Sequence, residues 1–461
     1  MNRIPMSIPR GVLRLFAMAV LIVAVPGLRA QEPDQTAALL KKAETVVDQL
    51  AAGEFAKTVD LFDATMKTAL PENRLRTVWT TLGGQAGAFE RRVSTSSERR
   101  GLLLITRVTC HFEKTDLDVQ VVFDKDGLVA GLSFQPVAVA WTPPPYAKAG
   151  AFTESDITVG AAGWPLPGTL TMPAGDGPYP AVVLVHGSGP EDRDETIGPN
   201  KPFKDLALGL ASRGIAVLRF EKRTQAYAGK LGGVAHFTVK EESIDDAVAA
   251  VAKLRTTPKI DPKRIFVLGH SLGGTIAPRI GAADPAIAGL ISLAGATRKI
   301  EDAMLAQVTY LATASGPITP DGQKQIDDTK KLIETIHALT PADAASPTSI
   351  GGAPAAYWLD LEAYDPVATA RTIRQPMLIL QGERDYQVTL ADDFARWRTG
   401  LAGRSGVTFH TYPALNHLFV AGTGKSLPAE YGIAGHVAED VIADIAQWIA
   451  GVRPGGGRPA Q

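Results

Sequence analysis

The chain has 461 residues, 45% of them apolar and 21% charged, with a formal net charge of -1. That length and composition fit a soluble globular protein of two or three domains with a substantial core. A balance so close to neutral, with no dense Lys/Arg run, gives no electrostatic basis for binding nucleic acid or another polyanion.

At the N-terminus, Arg3, Arg10 and Arg14 precede the apolar run Leu15–Val25, which Pro26-Gly27 breaks ahead of Ala30 and Gln31. A basic start, a short apolar stretch and a small residue at the end form the pattern of an export signal. Residues 1–30 are therefore read as a signal peptide, and the mature protein as periplasmic or secreted. Eleven apolar residues are too few to span a bilayer, so no stable membrane insertion is expected once the signal is removed. The single cysteine, Cys110, excludes an internal disulfide; it lies in the apolar run Leu102–Phe112 and reads as a buried, inert thiol.

Residues 35–135 read as a small α+β domain. Leu39, Leu40, Val46, Val47 and Leu50 recur at helical spacing, as do Phe55, Val59, Leu61 and Phe62. Pro71 fits the first turn of a third helix carrying Leu75, Val78 and Leu82 on one face. From Leu102 the period becomes that of strands, with Asp124-Lys125-Asp126-Gly127 as a hairpin turn between Leu117–Phe123 and Leu128–Phe134. The domain resembles a cystatin-like module of unassigned function that precedes some bacterial hydrolases. Packing or association, and binding of cell-surface material, both stay open as its role. Residues 136–151, with Pro143-Pro144-Pro145, form a linker.

Residues 152–455 read as an α/β domain. After a leading hairpin (Ile157–Val159, Thr169–Met172), Ala181–Val185 is wholly apolar, as a strand buried on both faces must be. Helix Pro202–Arg213, strand Ile215–Phe220, helix Val239–Leu254 and strand Arg264–Leu268 follow. Strands Gly289–Leu293, Met377–Leu380 and Val407–Thr411 and a closing helix His436–Ile449 complete the alternation. Such alternation implies a mostly parallel sheet covered by helices on both faces, with its ligand site beyond the carboxyl ends of the strands. At about 298–361 the alternation stops. An amphipathic helix through Ile326, Leu332, Ile333, Ile336 and Leu339, then a Pro/Ala/Gly-rich break, predict an inserted cap that excludes water.

The chemistry centres on Gly269-His270-Ser271-Leu272-Gly273, a G-x-S-x-G between a strand and a helix of small residues. A serine on so tight a turn needs neighbours without side chains, here Gly269 and Gly273, and the helix start offers free N–H groups to an anion forming there. Serine is a weak nucleophile without a base, and the base needs a carboxylate to orient it. Asp385 follows the strand Met377–Leu380, and His417 lies between the last strand and the last helix. The order Ser271, Asp385, His417 is that of α/β-hydrolases.

His186-Gly187-Ser188-Gly189-Pro190 follows the apolar strand. Together with G-H-S-L-G-G at 269–274, Y-D-P at 364–366 and G-E-R-D-Y-Q-V at 382–388, it makes the domain resemble the α/β-hydrolase superfamily. More narrowly it resembles bacterial serine esterases related to dienelactone hydrolases and prolyl-oligopeptidase-type peptidases. The resemblance implies Ser271 as nucleophile, His417 as base and Asp385 as its orienter. It also implies an oxyanion hole from the backbone N–H groups of Leu272 and Ser188, with His186 and Gly187 in the supporting loop. A serine carboxylesterase acting on small, short-chain esters is the expected function, without cofactor and without metal. A peptidase or amidase on the same triad, or a silent hydrolase fold used for binding, are the alternatives; a homo-oligomer is left open. Asp192, Arg193, Asp194, Glu195, Lys222 and Arg223 are read as solvated or mutually paired loop residues, or as holding a charged substrate. His270 is read as packing and His410 as the rival base.

Overall fold

A computed structural model describes residues 33–453 other than 101–102, 138–139, 232–233, 235–236, 315 and 347. The export-signal segment 1–30 lies outside the described residues. The chain divides at residue 140 into two units.

The first unit opens with four helices, Pro33–Ala51, Phe55–Asp60, Ala64–Ala69 and Glu72–Ala86. Pro71 is the cap residue before the last of these, not part of its first turn. Four antiparallel strands follow in sequential order: β1 (Phe89–Arg100), β2 (Leu103–Phe112), β3 (Thr115–Phe123) and β4 (Val129–Pro136). Val46, Val47, Leu50 and Leu75 from the helices meet Val108, Val119, Val121 and Phe123 from the sheet in one core. Strand β1 has no counterpart in the sequence reading. Its residues Glu90–Arg92 and Ser97–Arg99 are exposed and lack apolar alternation, as befits an edge strand that, among the described residues, pairs with β2 alone. Cys110 is fully buried in this core, and burial pushes its thiol up to about 12, which leaves it inert.

The second unit is built on an eight-stranded sheet. It comprises β5 (Phe152–Val159), β6 (Leu166–Pro173), β7 (Tyr179–Val185), β8 (Ala216–Phe220), β9 (Ile260–His270) and β10 (Gly289–Leu293). The cap contributes a separate small hairpin, β11 (Ser349–Ile350) and β12 (Ala353–Pro354), and the main sheet ends with β13 (Met377–Gly382) and β14 (Val407–Tyr412). The order is β14-β13-β10-β9-β7-β8-β6-β5; β5 and β6 run antiparallel, and all strands from β8 to β14 in that row are parallel. The chain steps from β7 out to β8 and returns across β7 to β9. That reversal opens a crevice beyond the carboxyl ends of β7 and β9.

The continuous apolar runs follow from burial on both faces. Ala181, Val183 and Val185 of β7 point into one core, with Ile276 and Ile280 of helix Leu272–Ala283 and Val251 and Leu254 of helix Asp245–Arg255. Val182 and Leu184 point into the other, with Leu206 and Leu210 of helix Pro202–Ala211 and Ile442 and Ile445 of helix Glu439–Gly451. The cap holds helices Ile300–Thr313, Pro320–His337 and Ala355–Glu362; only the second of these carries a clear amphipathic signal in the sequence. Arg298 anchors its start, pairing with the fully buried Asp393 at 2.6 Å.

Candidate active site

Strand β9 delivers its chain into Ser271, whose φ of 52° is a left-handed conformation rare for a residue with a side chain. The two glycines are needed for different reasons. A Cβ on Gly269 would collide with the backbone of Gly273 across the turn, and one on Gly273 would collide with the carbonyl oxygen of Val185 at the end of β7. The turn is tied back to the sheet by the Ser271 N–H, which donates to Leu293 O at 2.9 Å. Helix Leu272–Ala283 then begins with the Leu272 N–H lacking a side-chain cap. Among the described residues, neither the Leu272 nor the Ser188 N–H enters a backbone hydrogen bond of the loops.

The structure brings Asp385 and His417 together. His417 Nδ1 lies 2.7 Å from Asp385 Oδ2, and both residues are buried. Asp385 is held on every side. Its Oδ1 accepts the N–H groups of Gln387 at 2.8 Å and Val388 at 3.0 Å, and its Oδ2 also accepts from Gln381 Nε2 at 2.9 Å. The His417 loop is fixed by Asn416, whose Oδ1 accepts the N–H groups of Leu418 and Val420, and by Gly382, where a Cβ would meet the carbonyls of Leu415 and Asn416. The imidazoles of His417 and His270 lie 4.7 Å apart between centroids, and His270 is the residue before Ser271. That contact sets the His417 ring beside the elbow. The cap covers this loop: Tyr310 stacks on Tyr386 at 5.1 Å, and its hydroxyl donates to Ser426 O.

Around the crevice, several residues depart from the sequence reading. Glu195 and Lys222 are not solvated; they are 2% and 1% exposed and sit against the His186–Pro190 loop. Glu195 Oε1 accepts the Gly187 N–H at 2.7 Å, and Lys222 Nζ donates to Gly187 O at 2.7 Å. Asp194 pairs with Arg219 and Lys201, Arg193 with Glu221, and Arg223 with the buried Asp246 at 2.6 Å. The paired alternative holds for these. His270 is more than packing. Its Nε2 donates to His417 O at 2.9 Å, while its Nδ1 forms a 3.0 Å ion pair with Glu195 Oε2, off the line of a good hydrogen bond, and neither atom has another partner. Burial opposes charge on His270, but the Glu195 carboxylate outweighs it and raises the imidazole to about 9. His186 bonds Asp192 O within its own loop, and burial depresses it to about 4, so it stays neutral. Glu191 is pushed up to about 7 by burial and then by Glu195. His410 is half-exposed and lies 3.7 Å from Asp444, not beside Asp385; Asp365 caps helix Pro366–Thr372 through the Ala368 N–H. Ser188 is exposed.

Gln381 carries no role in the residue pattern, and Glu195 and Lys222 are marked there only as solvated, paired or substrate-holding, without their partners. Glu195 and Lys222 act on backbone atoms of Gly187, and Gln381 on Asp385 four residues on, and no recognised motif marks such contacts. In the cap, Glu301, His337 and Glu362 place one donor atom each within 4.8 Å of one another. Lys299 already supplies a cation there, donating to the Glu362 carbonyl and lying 3.7 Å from its carboxylate.

A strand–serine–helix elbow at the switch point of an eight-stranded, mostly parallel sheet, with a capped rim, defines an α/β-hydrolase. The chain belongs to the serine aminopeptidase S33 family, whose model matches residues 178–422. Residues 43–132 match a family described only as a protein of unknown function, DUF3887. Esterase EstD of Thermotoga maritima is 37% identical over 410 residues, which cover 89% of this chain and 95% of that protein. Esterase FrsA of Klebsiella pneumoniae is 27% identical over 136 residues, 30% of each chain. Among solved structures, 2,6-dihydroxy-pseudo-oxynicotine hydrolase aligns with a TM-score of 0.41 at 21% identity, covering 66% of this chain and 70% of that one.

Proposed function

We propose that this hydrolase is a serine carboxylesterase acting on small esters through an acyl-enzyme. The observation that carries the reading is the buried His417–Asp385 pair at 2.7 Å, set beside a serine held at φ 52°. Similarity to a relative named an esterase over nearly its whole length supports ester over amide chemistry.

In this mechanism the Asp385 carboxylate keeps the His417 proton on Nδ1, which leaves Nε2 free to take the proton of Ser271. Ser271 Oγ attacks the ester carbonyl, and the Leu272 and Ser188 N–H groups receive the oxyanion, each worth about 3–4 kcal/mol at the transition state. His417 returns the proton to the leaving alcohol, and the C–O bond breaks. Water then repeats the sequence with His417 as base, releasing the acid and restoring Ser271. The cap limits water to what the reaction consumes. The tight Gly187–Ser188 loop against the elbow favours short acyl groups. We place the mature protein outside the cytoplasm on the pattern of residues 1–30.

Hydrolysis of p-nitrophenyl esters from acetate to palmitate tests the reading. Activity concentrated on acetate and butyrate is expected. Cleavage of aminoacyl p-nitroanilides without ester turnover would replace it with the peptidase reading, and silence on both would favour a binding role.

A further inference from the structure

The acyl-transfer steps use neither Lys222 nor Glu195, yet both carry buried charge against the oxyanion loop. We propose that Lys222 and Glu195 are positioning residues that aim the Ser188 N–H at the reacting carbonyl, by gripping Gly187 at both of its peptide groups. The proposal rests on the serine-hydrolase reading of Ser271.

The geometry follows from peptide planarity. The Gly187 carbonyl and the Ser188 N–H belong to one planar unit, and in a trans peptide they point in opposite directions. Lys222 Nζ holds that carbonyl at 2.7 Å, so it fixes the direction of the N–H on the far side. An ammonium on the carbonyl oxygen also draws electron density through the amide, and the N–H becomes a stronger donor. The neighbouring peptide is held from the other end, where Glu195 Oε1 accepts the Gly187 N–H at 2.7 Å. With that N–H occupied, the Gly187 N–H itself is not available to a reacting oxygen. The gripped residue lies against the nucleophile: a Cβ on Gly187 would stand 3.2 Å from Ser271 Cβ and 3.3 Å from Glu195 Oε1.

Both grips are themselves braced. Lys222 Nζ lies 3.2 Å from Glu242 Oε1, and Tyr357 of the cap donates to Glu242 Oε2 at 2.8 Å. Lys222 is nearer to the carbonyl than to its counter-ion, so it does more than neutralise Glu242. Glu195 is pinned by His270, which also donates to the His417 carbonyl. One chain of contacts thus links the oxyanion loop, the elbow and the base loop. A preorganised donor of this kind lowers the barrier without changing how the ground-state ester binds.

The test uses the full chain and p-nitrophenyl acetate, with active sites counted by fluorophosphonate titration. Lys222→Met strands a buried carboxylate, so the charge-balanced pair Lys222→Met/Glu242→Gln is made beside it, together with Glu195→Met, which removes the acceptor of the Gly187 N–H. Each is expected to lose about 10–100-fold in kcat per titrated site, part of the ~100–1000-fold that goes with a whole oxyanion donor. KM should stay within about twofold, and a trifluoromethyl ketone, which forms the oxyanion on binding, should weaken in proportion to kcat/KM. A kcat per titrated site equal to the parent's, with any activity loss explained by fewer active sites, would overturn the proposal and leave the triad standing. Turnover retained by Ser271→Ala would instead overturn both.

Discussion

Replacing Asp385 by asparagine keeps the size of the side chain and changes only what it can accept, and the surrounding donors dictate the outcome. The Gln387 and Val388 N–H groups both point at Oδ1, so the amide oxygen must occupy that position. The amide nitrogen then faces His417 Nδ1 and Gln381 Nε2. Gln381 cannot turn its own oxygen inward without giving up its 2.8 Å bond to Val388 O. His417 must therefore accept at Nδ1 and carry its proton on Nε2, the atom that should receive the proton of Ser271. The general Ser-His-Asp case shows that a wrong tautomer lowers kcat by about 10⁴-fold, or about 5.5 kcal/mol. We expect a loss of ~10³–10⁴ in kcat with p-nitrophenyl acetate at pH 7.5, an unchanged circular dichroism spectrum and KM within a few-fold. A loss under tenfold would refute the pairing as the orienter of the base.

Other consequences follow from packing and charge. Gly273→Ala drives a methyl into the Val185 carbonyl at the joint of β7 and the elbow helix, and should destabilise the second unit by about 3 kcal/mol in urea unfolding; a midpoint unchanged from the parent would contradict the close approach. Arg298→Met leaves the fully buried Asp393 without its cation, and the larger calorimetric transition should fall by the equivalent of about 3–5 kcal/mol. His270 gives stability a sign with pH. Its folded value of about 9 lies above the ordinary 6.5, so its contribution is complete below 6.5 and disappears as pH rises through 9. At about 1.4 kcal/mol per pH unit that contribution is on the order of 3 kcal/mol. Between pH 7 and 10 the parent should lose more stability than His270→Asn, and equal losses would refute a charged His270.

How much of this was legible in the residues depends on whether the signal was local. The fully apolar β7 and the glycines around Ser271 announce themselves, because burial on both faces and a cramped turn each leave a mark within a few residues. Asp385 and His417 could be named from chain order and from their place after strands. Strand β1 was hidden, since an edge strand that faces water carries Arg, Glu and Ser where alternation would otherwise show. Glu195, Lys222 and His270 were misjudged for a related reason. A charged residue in a loop reads as solvated unless its partner is known. Here the partners are Gly187, Glu242 and the His417 carbonyl; the first is reached by a turn of the loop after β7, and the other two lie on separate segments of the fold.

Ser271 is the residue on which the proposed chemistry turns. Incubation with a fluorophosphonate and peptide mapping by mass spectrometry, run beside ester hydrolysis by Ser271→Ala, puts that residue to the test. One adduct per chain on Ser271, loss of ester turnover in step with labelling, and a folded variant without measurable activity are expected. An adduct on another residue, or hydrolysis that persists in Ser271→Ala, would contradict that chemistry.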